Sequence, residues 1–285
     1  MRDRGTTGCR RRRLGAAAVT ATGALLVATG ALAPAALAKA QPNPEFEQFA
    51  QCPVTVKKVA DCLAAHTTTG EFKLGSKTVK INKTITLQGG LEEKSHVLVP
   101  AANGETLSHT PLTVPGGLTG IEGLEGIGGE VTATTELAGP VEVFSENLEG
   151  AGTAVVLPIK VKLSNPLLGE ACYVGSEAEP IVLHLTTGTT NPPAPNKPIS
   201  GNPGKASFNE AFTIITITGN SLVDNSFAAP GANGCGGVLS PVLDEVVDLQ
   251  AGLPAAGGTN TAILNGSLAE ATPKFVKKSK VIPKG

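Results

Sequence analysis

The way the sequence is punctuated constrains its fold most. Between residues 62 and 270, short runs rich in Val, Ile and Thr are cut by Gly, Pro and Asn. Such runs read as strands, because β-branched side chains suit a pleated, half-buried surface. The cuts read as turns and loops, where Gly and Asn supply positive φ and Pro cannot donate to a ladder. Alternation is clearest at 180–187, where Ile181, Leu183 and Leu185 share one face and His184 takes the other. Residues 212–218 (FTIITIT) form the plainest strand.

Further strands are expected at 63–74, 78–81, 84–87, 97–99, 130–137, 141–144, 155–163, 172–174, 221–227 and 259–270. Gly75-Ser76-Lys77 marks a hairpin turn. Gly89-Gly90 is expected to end a strand, and Gly219-Asn220 to join two. Pro158 suggests an edge position or a bulge. Residues 115–129, with Gly at every third position from 117 to 126, read as a surface loop. The Pro-, Asn- and Gly-rich stretch 188–204 reads as a long loop within one domain.

Helix-period patterns are rare. A short helical turn is expected around 45–50. One full helix is expected at 241–250, with Ser240 as N-cap and Pro241 in the first turn. Val242, Val246 and Leu249 share one face of it, and Gly252 ends it. The fold class is therefore all-β: a disulfide-stabilised sandwich with long Gly/Pro-rich loops and one short helix near the C-terminus.

The N-terminus carries an address. Residues 10–13 are all Arg, an uncharged Ala/Leu/Val/Thr stretch follows, and small residues end it. This is the order of a secretory signal peptide, expected over 1–40 with cleavage after Ala38 or Ala40. Residues 41–285 are then one mature β domain, two β lobes split near 165 being the alternative. Four cysteines follow the leader: Cys52, Cys62, Cys172 and Cys235. An even count in an exported chain implies two disulfides. Cys52–Cys62 and Cys172–Cys235 are the expected pairs, each within one half of the chain; the other two pairings remain open. No C-x-x-C occurs, so redox and zinc-ribbon chemistry find no support.

Charge narrows the partners. All the Arg lie between positions 2 and 13, and beyond residue 40 there are 16 Lys against 23 Asp and Glu, a net charge of −7. An acidic, Arg-free chain with 3% aromatic residues lacks the footprint for nucleic acid. No membrane span is expected after cleavage, and no cofactor or metal. The expected location is extracellular or cell-wall associated, with an unidentified partner there. The C-terminal lysines (Lys274, Lys277, Lys278, Lys280, Lys284) read as a solubilising terminus.

Four stretches carry a resemblance: FKLGSKTVKINKTITLQGGL (72–91), LTTGTTNPPAPNKPISGNPG (185–204), GNSLVDNSFAAPGANGC (219–235) and AGLPAAGGTNTAILNGSL (251–268). They resemble a group of secreted actinobacterial proteins with no assigned biochemical activity. The resemblance implies export and a shared β fold. It implies no catalytic residues.

Recognisable chemistry is absent from the sequence. There is no G-x-S-x-G elbow, no H-E-x-x-H and no P-loop. The four histidines, His66, His96, His109 and His184, show no metal-ligand spacing. Asp244, Glu245 and Asp248 cluster on the expected helix and read as its solvated face. Glu122, Glu125 and Glu130 lack the pattern of a calcium loop. Asn82 and Asn265 begin glycosylation sequons, a pattern common by chance. Three readings of function follow. The first is a non-enzymatic protein with a structural or cell-surface interaction role. The second is a carrier for a small apolar ligand held between the sheets. The third is a hydrolase with a dispersed site, for which His66 and His184 are the candidates.

Overall fold

In the computed structural model, residues 41–92, 94–117, 129–149 and 152–282 are described. The expected leader (1–40), most of the Gly-rich loop with Glu122 and Glu125 (118–128), and Lys284 lie outside them. The strands are β1 (Asp61–Leu74), β2 (Lys77–Ile81), β3 (Ile85–Leu91), β4 (Leu98–Pro100), β5 (Leu112–Thr113), β6 (Thr132–Leu137) and β7 (Glu142–Val143). They continue with β8 (Val155–Ser164), β9 (Tyr173–Val174), β10 (Ile181–Leu185), β11 (Lys205–Phe208), β12 (Ile214–Asp224), β13 (Ala232–Asn233) and β14 (Thr261–Ala271). Two helices, α1 (Ser240–Ala251) and α2 (Pro273–Ser279), lie near the C-terminus.

The strands form two antiparallel seven-stranded sheets packed as a sandwich. The first runs β11-β12-β14-β1-β3-β4, with β2 extending β1 beyond the end of β3. The second runs β13-β9-β8-β6-β5, with β7 and β10 also on β8. Strand β8 is the hub of its sheet, a role its Pro158 seemed to forbid. The register puts Pro158 opposite Ala138, one residue past the end of β6, where the Ala138 N–H donates to the Pro158 carbonyl at 3.0 Å. The missing proline N–H therefore falls where the ladder is already ending.

The inner faces follow alternation. Ile181, Leu183 and Leu185 are all at most 2% exposed, while His184 is exposed. Gly89 and Gly90 do not end β3. A Cβ at Gly89 would lie 2.4 Å from the Val99 carbonyl oxygen, and one at Gly90 2.6 Å from a Val59 methyl. Here glycine permits close approach and the strand runs on to Leu91. Bonds between the sheets pin both sides of the sandwich: Leu98 N–H to the Val141 carbonyl (2.8 Å), and Thr186 paired with Val223.

A second, smaller core covers the outer face of the first sheet. The 3-10 helix Pro44–Phe49, capped by Asn43, packs Phe46 and Phe49 there. Small residues Ala64, Ala269 and Ala271 on β1 and β14 let it come close. The expected solubilising terminus is instead helix α2, anchored in this layer by fully buried Val276. Its lysines hid an apolar pair, Phe275-Val276.

Both expected disulfides are present. Cys52–Cys62 ties the outer layer to β1, and Cys172–Cys235 ties the start of β9 to the loop before α1. The residues from Gln41 onward form one compact unit. Among the described residues, no helix is long and apolar enough to cross a membrane.

Candidate apolar binding cavity

The two inner faces do not fill the space between them. On the first sheet, β1 presents Ala65 and Thr67, and β14 presents Gly266. On the second sheet, β6 presents Ala133 and Thr135. Small side chains facing from both sides leave a gap that close packing would otherwise remove. The result is an apolar cavity of about 210 Å³, partly open to solvent. Its walls are mainly Leu, Val and Ile, with His66 and with Phe72, whose ring stacks on Phe227 at 5.6 Å.

Burial reports the same gap independently. Leu87, Leu163, Leu222 and Leu264 point between the sheets, yet each is only half-buried. No residue of β6 is fully buried. In a filled sandwich these inner positions would be closed.

One row across the wall is polar. Thr67 of β1 and Asn220 of β12 both sit opposite Gly266 of β14. The ladder shifts on both sides of Gly266, between Thr67 and Thr69 and between Thr218 and Asn220. Gly219 takes a left-handed φ of 67°, so the expected turn is a bulge within one long strand. Bulges re-aim side chains. Only glycine fits at 266, where a Cβ would lie 1.8 Å from the His66 carbonyl oxygen. Asn220 is 7% exposed, lines the cavity, and its side-chain oxygen has no hydrogen-bond partner.

Helix α1 closes part of the wall through Leu243, Val246 and Val247. Its orientation departs from expectation. Val242 and Leu249 face outward, with Leu249 86% exposed, next to exposed Val238 and Leu239, while Val246 sits at the rim of the cavity with one side in solvent. Asp244 and Asp248 point to the protein instead, while Glu245 is exposed as expected. Asp244 accepts the N–H groups of Cys235 (2.8 Å) and Gly234 (3.3 Å) and the Ser240 hydroxyl. Asp248 accepts the Ala232 N–H at 2.6 Å. These two carboxylates moor the helix to the Cys235 loop and so are not part of its solvated face. Ser240 serves Asp244 and caps no N–H.

The histidines do not converge. His66 lies on the first sheet, its Nδ1 3.1 Å from the Thr86 hydroxyl. His184 lies on the second sheet beside a shallow polar cleft with Asp224 and Ser226. That carboxylate accepts two backbone N–H groups, from His184 and Ser226, and bonds to no imidazole. The His96 ring lies against Phe144 at 4.7 Å, tilted by 31°, and His109 is exposed. Among the described residues, no group of His, Cys, Asp and Glu could hold a metal ion.

Alternation identified which residues face inward. It carried no sign that Ala65 and Ala133 leave a gap, or that Asn220 lines it. No protein-family model, curated protein or solved structure matches the chain.

Proposed function

We propose that this chain is an exported, non-catalytic carrier that holds a small apolar molecule between its two sheets. The observation that carries the reading is the 210 Å³ cavity, with inner leucines left half-buried around it. A natural core seldom leaves such a void, since lost contacts and cavity surface cost stability. An engineered apolar cavity of about 150 Å³ already binds benzene. The leader and the two disulfides support export.

Toluene is a suitable probe. The expected result is one toluene per chain by calorimetry, with a raised melting midpoint. Replacing Ala65 and Ala133 together by Leu should abolish binding while the chain stays folded by circular dichroism. No binding to the wild type, or equal binding to the filled variant, would overturn the proposal.

A second reading, a surface-interaction role, draws on the exposed apolar residues Val238, Leu239, Val242 and Leu249 around α1. Contiguous patches of this kind mark interaction surfaces more often than scattered ones.

A further inference from the structure

We infer that the cavity selects an uncharged ligand, an apolar body bearing one hydroxyl or carbonyl group, and that Asn220 receives that group. The inference rests on the carrier reading and adds the ligand's chemistry. Asn220 is the most deeply buried polar side chain in a mainly aliphatic wall, and its carboxamide oxygen is unpartnered. A buried polar group without a partner is costly, and sites that keep one usually have a ligand or water to satisfy it. A half-turn of the carboxamide exchanges its oxygen and nitrogen. The same residue can then accept from a hydroxyl or donate to a carbonyl.

The row's construction supports a built site. Two strands bulge on either side of Gly266, and this places Asn220 and Thr67 at one level of the cavity. Thr67 adds a hydroxyl to the same row.

Charge is disfavoured at that point. The lysine in the cavity wall is Lys77, paired with Leu74 at the far end of β1. Seven residues of strand separate Thr67 from Leu74, roughly 20 Å. A carboxylate beside Asn220 would lose its water without gaining a lysine partner, and the Nδ1 of His66, the other basic residue in the wall, is taken by the Thr86 hydroxyl. Size follows by proportion. If about 150 Å³ takes benzene, 210 Å³ takes about eight non-hydrogen atoms.

Toluene, benzyl alcohol and benzoate match that size and differ only in the head group. Calorimetry on the wild type, Asn220→Leu and Asn220→Ala gives the test. Benzyl alcohol should bind the wild type more tightly than benzoate at neutral pH. Both variants should lower the affinity for benzyl alcohol relative to toluene by roughly 3- to 10-fold, the usual worth of one neutral hydrogen bond. An unchanged ratio in a folded variant overturns the role of Asn220. Benzoate binding as tightly as benzyl alcohol overturns the preference for an uncharged head. If toluene itself fails to bind the wild type, the carrier reading falls and this inference falls with it. Toluene binding with an unchanged ratio removes this inference alone.

Discussion

Single residues mark where this fold departs from a filled sandwich. Asn220 shows why such positions escape sequence reading. Gly219-Asn220 has turn chemistry, and a left-handed glycine does occur there. The ladder partner decides between a turn and a bulge, and that partner, β14, lies more than 40 residues away in sequence. Glu270 is a second such position. It sits on β14 between Leu63 of β1 and Ile215 of β12, and burial raises its carboxyl above the usual glutamate range. The negative charge of Asp61 adds to the rise, and a hydrogen bond from the Ser145 hydroxyl opposes it. The folded chain therefore holds this proton more tightly than the unfolded chain. Its favourable contribution is complete below the ordinary glutamate pKa and is lost as pH rises through the raised value. Glu270→Gln should accordingly be more stable than wild type at pH 7, and that advantage should shrink towards pH 4. Urea midpoints at the two pH values check this; a variant less stable at pH 7 would contradict it.

At the level of elements, spacing told more about existence than about orientation. Helix α1 begins and ends within a residue of where Pro241 and Gly252 place it. The two ends of the i, i+4, i+7 apolar stripe, Val242 and Leu249, nevertheless face outward. A stripe defines a face and does not say what that face meets. The deciding interactions are carboxylate bonds to the N–H groups of residues 232, 234 and 235, a loop fixed by the Cys172–Cys235 bond. Helix α2 shows the converse: its lysines suggested a free terminus, and Val276 buries it. Asp244→Ala should therefore cost about 1–3 kcal/mol, because it leaves backbone donors near Cys235 unpaired. Chemical denaturation measures the loss, and hydrogen exchange should show α1 opening more readily. A change within about 0.5 kcal/mol, typical of a surface substitution, would show the mooring to be incidental.

For the whole molecule, the sandwich was legible because period-two alternation and turn residues act locally. Cys52–Cys62 and Cys172–Cys235, the favoured of three open pairings, are the ones formed. The cavity was not legible, since its existence depends on which small residues of one sheet face which of the other. The two disulfides separate these levels experimentally. Chain entropy alone assigns about 3 kcal/mol to the bond spanning 10 residues and about 4 kcal/mol to the one spanning 63. Their positions differ more than their energies. Cys52 and Cys62 belong to the outer layer, away from the cavity wall. Cys172 and Cys235 pack with Leu243 and Val247, which form part of that wall. Replacing Cys52 and Cys62 by Ala should lower stability and leave toluene affinity near that of wild type. Replacing Cys172 and Cys235 by Ala should lower stability by a similar amount and also weaken toluene binding, because α1 loses its fixed base. Calorimetry below the melting transition of each variant decides the matter. Equal losses of affinity in both would mean that the cavity depends on global stability; a loss confined to the second places α1 among the parts that hold the ligand.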